Sequence, residues 1–236
     1  MKTETQIRER PILFSSEMVR AIIDNRKTQT RRILNPQPPE WCDEGGWTMF
    51  TPPGSISFRG THPTEGYGEK FIKARFEQGM HLWVRENFRI HDADGTKRGI
   101  SYNADPEDSA VTWLESGEPW ESAIEAMGID AFGKFEPNGV SRPSIHMPRW
   151  ASRLTLEVTR LRVERLQDIS EADAMAEGIY NPRADSGMWF TSNGTDRFCN
   201  AITAYWKLWE EINGVGSWER NPFVFVIEFR KLEQPR

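Results

Sequence analysis

The chain has 236 residues, 37% of them apolar and 11% aromatic, enough to bury a core and to exclude wholesale disorder. Its formal net charge of -5 excludes a protein that coats nucleic acid through bulk charge, while leaving room for a local basic face. Two cysteines, Cys42 and Cys199, make no disulfide framework, and the charged start around Lys2, Glu4, Arg8, Glu9 and Arg10 has no signal-peptide or membrane-spanning run; a cytoplasmic protein without a membrane partner is expected.

In chain order, "PILFSSEMVRAIIDN" predicts a short strand and then a helix. Ser15 or Ser16 caps it, Glu17 sits in the first turn, and Val19, Ile22 and Ile23 share one face. Asn25 is a left-handed stop. "TQTRRIL" turns β-favouring, with Thr28, Thr30 and Arg32 on one side by alternation. Residues 35–68, rich in Pro and Gly around Trp41 and Trp47, read as a long ordered loop or an insertion. "GMHLWVRENFRI" is a strand entered through a glycine turn; "RGISYNA" and "PWESAIEAMG" are a short strand and a short helix.

In "RLTLEVTRLRVERL" the apolar parity changes between Leu154, Leu156, Val158 and Leu161, Val163, which a β-bulge near Thr159–Arg160 reconciles. "DISEADAMAEG" is a short helix with Ser170 and Asp173 as a capping-box-like pair and Gly178 at its end. "RFCNAITAYWKLWEEING" is the clearest helix, with Phe198, Ile202, Tyr205, Trp206, Trp209 and Ile212 on one face. "NPFVFVIEFRKL" closes the chain as a strand apolar on both parities. This order suits a small mixed α+β barrel with helices on its ends, not a doubly wound sheet. No glycine-rich nucleotide loop appears.

His62, His81, His91 and His146 are isolated, and neither cysteine lies near another ligand, so no metal and no cofactor are expected. His146 in "SIHMPRW" reads as a general base or, more simply, as a structural histidine. Two acid-free stretches stand out. One holds Arg26, Lys27, Thr28, Thr30, Arg31 and Arg32; the other holds Arg142, His146, Arg149 and Arg153. If they meet in space they form an anion-facing surface; taken singly, each is a solvated face. Trp150, between Arg149 and Arg153, and Trp189 with Phe190 in the loop 179–196 are candidates for stacking on a base, or for packing. Trp206 and Trp209 read as core, and Trp83 as core or barrel wall.

"RPILFSSEMVRAIIDNRKTQTRRIL" resembles the opening of the ASCH family, a branch of the RNA-associated PUA-like superfamily, and more narrowly its phage and prophage members with a large insertion. "GMHLWVRE", "RLTLEVTRLRVERLQDISEADAMAEGI" and "FVFVIEFR" continue the likeness in the same order, over roughly half the chain. The resemblance implies a single PUA-like (ASCH) mixed β-barrel domain over residues 1–236 with flanking helices and a long irregular insertion, at about 35–68 and 92–150. It also implies a bacterial host cytoplasm.

The pattern is similar to that of the bacterial ASCH enzymes that deacetylate N4-acetylcytidine. On that likeness Lys27, Thr30 and Glu177 are the catalytic residues, and Arg26, Thr28, Arg31 and Arg32 line a pocket for a nucleoside or for an RNA or DNA base. Arg149, Trp150, Arg153, Trp189 and Phe190 are the further binding candidates. A threonine hydroxyl needs an adjacent base, which a lysine provides when burial or neighbouring cations lower its pKa. A glutamate can protonate the leaving amine or activate water. The alternatives are a salt bridge closing the barrel mouth, hence a non-catalytic RNA- or modified-DNA-binding module, and a phage assembly or counter-defence factor that binds a protein partner through the insertion.

Overall fold

A computed structural model describes residues 7–42, 55–93, 97–106, 111–114, 141–183, 186–191 and 196–233. Its elements are β1 (Glu9–Leu13), α1 (Ser16–Ile23), β2 (Gln29–Ile33), β3 (Ser55–His62), β4 (Gly66–Lys73), β5 (His81–Arg85), β6 (Phe88–Ala93), β7 (Lys97–Tyr102), β8 (Thr112–Leu114), β9 (Ser141–Arg142), β10 (Thr155–Arg165), α2 (Glu171–Ala176), α3 (Ala201–Asn213) and β11 (Phe223–Lys231). The fold is α+β and mostly strand, in three sheets, none closed into a barrel among the described residues. No helix among those residues is long and apolar enough to cross a membrane. The helix expected over 119–128 lies outside the described residues.

The chain divides into two compact units. The first comprises Met1–Ile7, Asp24–Met80 and Glu157–Arg230. Here β11 lies between β10 and β2, pairing antiparallel with β2 from Val224↔Ile33 to Glu228↔Gln29. Its residues Phe223 to Ile227 are buried on both parities, as a strand covered on both faces must be. In β10 the buried set switches from Val158 to Leu161 and Val163, the parity change read in the sequence. Both short-helix caps follow the same physics: Ser170 Oγ accepts the Asp173 N–H at 3.1 Å while the Asp173 carboxylate accepts the Ser170 N–H at 3.4 Å. The Glu171 carboxylate accepts the Ala201 N–H at 2.9 Å and ties α2 to the start of α3.

Two expectations in this unit are corrected. Of residues 35–68, read as a long ordered loop or an insertion, those from Ser55 form strand rather than loop: β3 pairs antiparallel with β4, from Ser55↔Lys73 to His62↔Gly66. Ile56, Phe58 and Ile72 are buried, and Phe58 meets Phe223 edge to face at 5.3 Å. On α3 the buried face is Ala201, Ala204, Tyr205, Leu208 and Trp209, a regular i, i+3, i+4 stripe. Trp206, expected in the core, is 38% exposed because it falls off that stripe; Ile212, expected on the same face, continues the stripe but is 54% exposed in the helix's last turn.

The second unit comprises Arg8–Ile23, His81–Leu156 and Lys231–Arg236. β1 runs parallel to β5, from Glu9↔His81 to Leu13↔Arg85, and the Val84 N–H donates to the Leu154 carbonyl at 2.9 Å. A second sheet has the order β8-β7-β6-β9 and packs Phe88, Ile100, Met147 and Ala151 into one cluster, with Ile90, Tyr102 and Trp150 against it. The α1 face is Val19, Ala21 and Ile22; Ile23, expected with them, is exposed. Ser15 Oγ accepts the Met18 N–H at 3.3 Å, and Asn25 takes the left-handed turn at φ 58.

Candidate functional site

Within the first unit, the residues after Asn25 thread between the end of α2 and β11. The Thr28 N–H donates to the Ala176 carbonyl at 2.9 Å, and the Thr28 carbonyl accepts the Phe229 N–H at 2.9 Å. Lys27 and Glu177 form an antiparallel bridge beside them. Glu177 caps the C-terminal end of α2, and Gly178, at φ 101, lets the chain turn away without a Cβ penalty. This backbone fixes the two side chains against each other. Lys27 Nζ donates to Glu177 Oε2 at 2.7 Å and to the Glu177 carbonyl at 2.8 Å, capping the end of the helix with a cation. The side chains are 0% and 4% exposed.

Glu177 has a second cation. Arg31 Nη1 donates to its Oε1 at 3.3 Å, while Arg31 Nη2 donates to Glu164 Oε1 at 2.5 Å and lies 3.4 Å from Asp173 Oδ2. Arg162 braces the same carboxylates: Nε donates to Glu164 Oε2 at 2.9 Å, Nη2 to Asp173 Oδ1 at 2.6 Å and Nη1 to Glu228 Oε1 at 2.5 Å. Tyr205 lies under the Arg31 guanidinium, 5.8 Å from Cζ to the ring centre. Such a network is strong only because nearly every charge in it is paired.

Burial pushes the Lys27 ammonium below its ordinary range; Glu177 opposes this and the cations Arg32 and Arg31 add to it. Burial alone would also lower Arg31, but Glu177, then Tyr205 and Glu164, leave it raised. Burial lowers Arg32, against Glu177 and Tyr205. The Tyr205 phenol is pushed up by burial and by Glu177. An amine of lowered proton affinity beside a carboxylate, out of water, is an arrangement that can take up and pass on a proton.

Thr30 is buried in β2, paired with Ile227. Thr28 is exposed. Arg26 is held by Asp24 at 2.9 Å and stands over the Tyr180 ring at 5.1 Å. Trp189 and Phe190 are half-buried; bridges pair Trp189 with Phe198 and Phe190 with Tyr180, whose ring lies 5.8 Å from that of Phe190.

The remaining candidates lie in the second unit. Arg153 is gripped by Glu86 at 2.9 and 3.0 Å and by Asp105 at 2.8 Å, and stacks on Tyr102 at 4.0 Å. Arg149 is paired with Glu9 at 3.0 Å. With Glu9, Trp150, Thr155 and Leu232 it lines an open concavity of about 740 Å³. His146 is exposed, and no group of potential metal ligands occurs among the described residues.

Sequence reasoning overlooked Glu164 and Arg162, took Asp173 for a cap alone and Tyr205 for core alone. The available signal was a base and an acid, Arg162 and Glu164, at alternate positions interleaved with the buried Leu161 and Val163, where charges that are partly covered must be paired. Neither a protein-family model, nor a curated protein, nor a solved structure matches this chain.

Proposed function

We propose that the chain recognises a nucleobase, free or within RNA or DNA, and hydrolyses an N-acyl amide on a cytosine-type base at the Lys27–Glu177 pair. The PUA-like (ASCH) character of the fold belongs to the same proposal. One observation carries it: residues 150 positions apart place an amine 2.7 Å from a carboxylate oxygen, with that amine's proton affinity lowered by burial. Neutral Lys27 takes the proton of the Thr30 hydroxyl as that oxygen attacks the acyl carbonyl. Glu177 Oε2, already in contact with Nζ, relays a proton to the departing exocyclic amine. Water then hydrolyses the acyl-threonine, giving the free acid and restoring the hydroxyl. The test is turnover of a panel of N4-acylated cytidines, followed by mass spectrometry. Loss of turnover in Thr30→Ala with the fold retained supports the scheme, and full turnover by that variant removes it.

A non-catalytic reader of RNA or modified DNA is the second reading. It is favoured by the complete cover over the Lys27 and Arg31 side chains, both 0% exposed, as in an ion-pair cluster that only closes a fold. It predicts oligonucleotide binding that weakens steeply with salt, and no turnover.

A further inference from the structure

We propose that Arg31 is a positioning residue for Lys27: by holding Oε1 of Glu177 it turns Oε2 onto the lysine amine and shares the carboxylate between two cations. The proposal rests on the reading of Lys27 and Glu177 as the reacting pair. A carboxylate held at one oxygen can rotate; Glu177 is held at both, by Lys27 at 2.7 Å and by Arg31 at 3.3 Å. Arg31 itself cannot swing away. Its other arm is fixed by Glu164 on β10 and lies against Asp173 on α2, and Arg162 grips those two carboxylates and Glu228 on β11. The Arg31 side chain has no exposed surface, so its place is inside the protein rather than on a ligand.

The charged and titratable groups acting on Lys27 and its partner carboxylate are Glu177 at the end of α2, Arg31 and Arg32 on β2, and Tyr205 on α3. Glu164 and Asp173 act one step further out, through Arg31. Arg31 bonds both to Glu177 and to the outer carboxylates. Taking Arg31 away leaves more of Glu177's charge to Lys27 and removes a neighbouring cation; both changes favour the ammonium.

The experiment is a pH titration by NMR of the whole chain, with the lysine Cε and arginine Nε positions labelled and Lys27 assigned by Lys27→Arg. In the parent protein the Arg31 Nε resonance should move with the same midpoint as Lys27, because the two share one carboxylate. In Arg31→Met combined with Glu164→Gln, which keeps the buried charges balanced, the Lys27 midpoint should rise by about one pH unit or more. An Arg31 resonance that stays flat through the Lys27 transition overturns the proposal, as does an unchanged midpoint in the folded double variant. If the double variant does not fold, the parent titration decides alone. A Lys27→Ala protein that still deacylates its substrate sinks the catalytic reading and leaves this coupling intact; a flat Arg31 response does the reverse.

Discussion

Lys27 and Glu177 are joined twice over, side chain to side chain at 2.7 Å and side chain to main chain at 2.8 Å, with almost no exposed surface on either. A buried pair of this kind is costly to break and far less costly to remove whole. Glu177→Gln should therefore destabilise the first unit by about 3–5 kcal/mol, while Lys27→Met with Glu177→Leu should recover most of that loss. Chemical denaturation of the parent, Glu177→Gln, Lys27→Met, Glu177→Leu and the double variant checks it. Additive single losses would mean that the two side chains are not coupled.

Acid should weaken the same cluster in a defined window. Asp173 is buried enough to be raised, but hydrogen bonds from Ser170 and Arg162 and the Arg31 and Arg162 charges hold it at about 2, against an ordinary value of 3.8. A carboxyl depressed in the folded state stabilises above its unfolded value and loses that contribution as pH falls through the folded one. The difference in unfolding free energy between the parent and Asp173→Asn should be constant above pH 3.8 and shrink steadily toward pH 2. A difference that does not change over that range contradicts the geometry.

In the second unit the sign reverses. Glu86 is buried, and burial raises its carboxyl despite the two bonds from Arg153. Arg153→Met strips those bonds and leaves the acid alone in a dry site, so its pKa climbs further. A group raised in the folded state contributes fully at low pH and loses that contribution as pH rises through the folded value. The variant should be most destabilised at neutral pH and should approach the parent as pH falls to about 5. Equal destabilisation at both pH values would show that the loss is packing against Tyr102, not charge.

Much of this was legible because it is local. The Ser170–Asp173 cap, the Asn25 turn, the parity change in β10 and the both-face burial of β11 each follow from residues within one turn or one strand. The meeting of Lys27 with Glu177 was legible only through resemblance, since no spacing rule links residues 150 apart. Of the Arg31–Glu164–Asp173–Arg162 network only the alternation of Arg162 with Glu164 on one strand was legible, because its members come from separate elements and gain meaning only from their neighbours in space. The β3–β4 hairpin was missed for a different reason: Gly60, Gly66 and Gly68 look like loop, whereas Gly60 is glycine because β3 runs at close quarters against the Trp41–Cys42 main chain.

That close approach is itself testable. A Cβ on Gly60 would run into the Trp41 carbonyl oxygen, a main-chain atom that cannot rotate aside. Gly60→Ala should cost about 1–3 kcal/mol and loosen the β3–β4 pairing, seen as faster amide exchange from Ile56 to Ile72. Unchanged exchange would mean that the contact is made differently in solution.

The central claim is that the Lys27–Glu177 pair performs amide hydrolysis on a nucleobase. The most direct measurement is release of cytidine from N4-acetylcytidine by the parent protein and by Lys27→Ala, with the fold of each verified by circular dichroism. The account predicts multiple turnovers by the parent and none by the folded variant. Equal rates from both, or no release by a parent protein that binds the nucleoside, would contradict it.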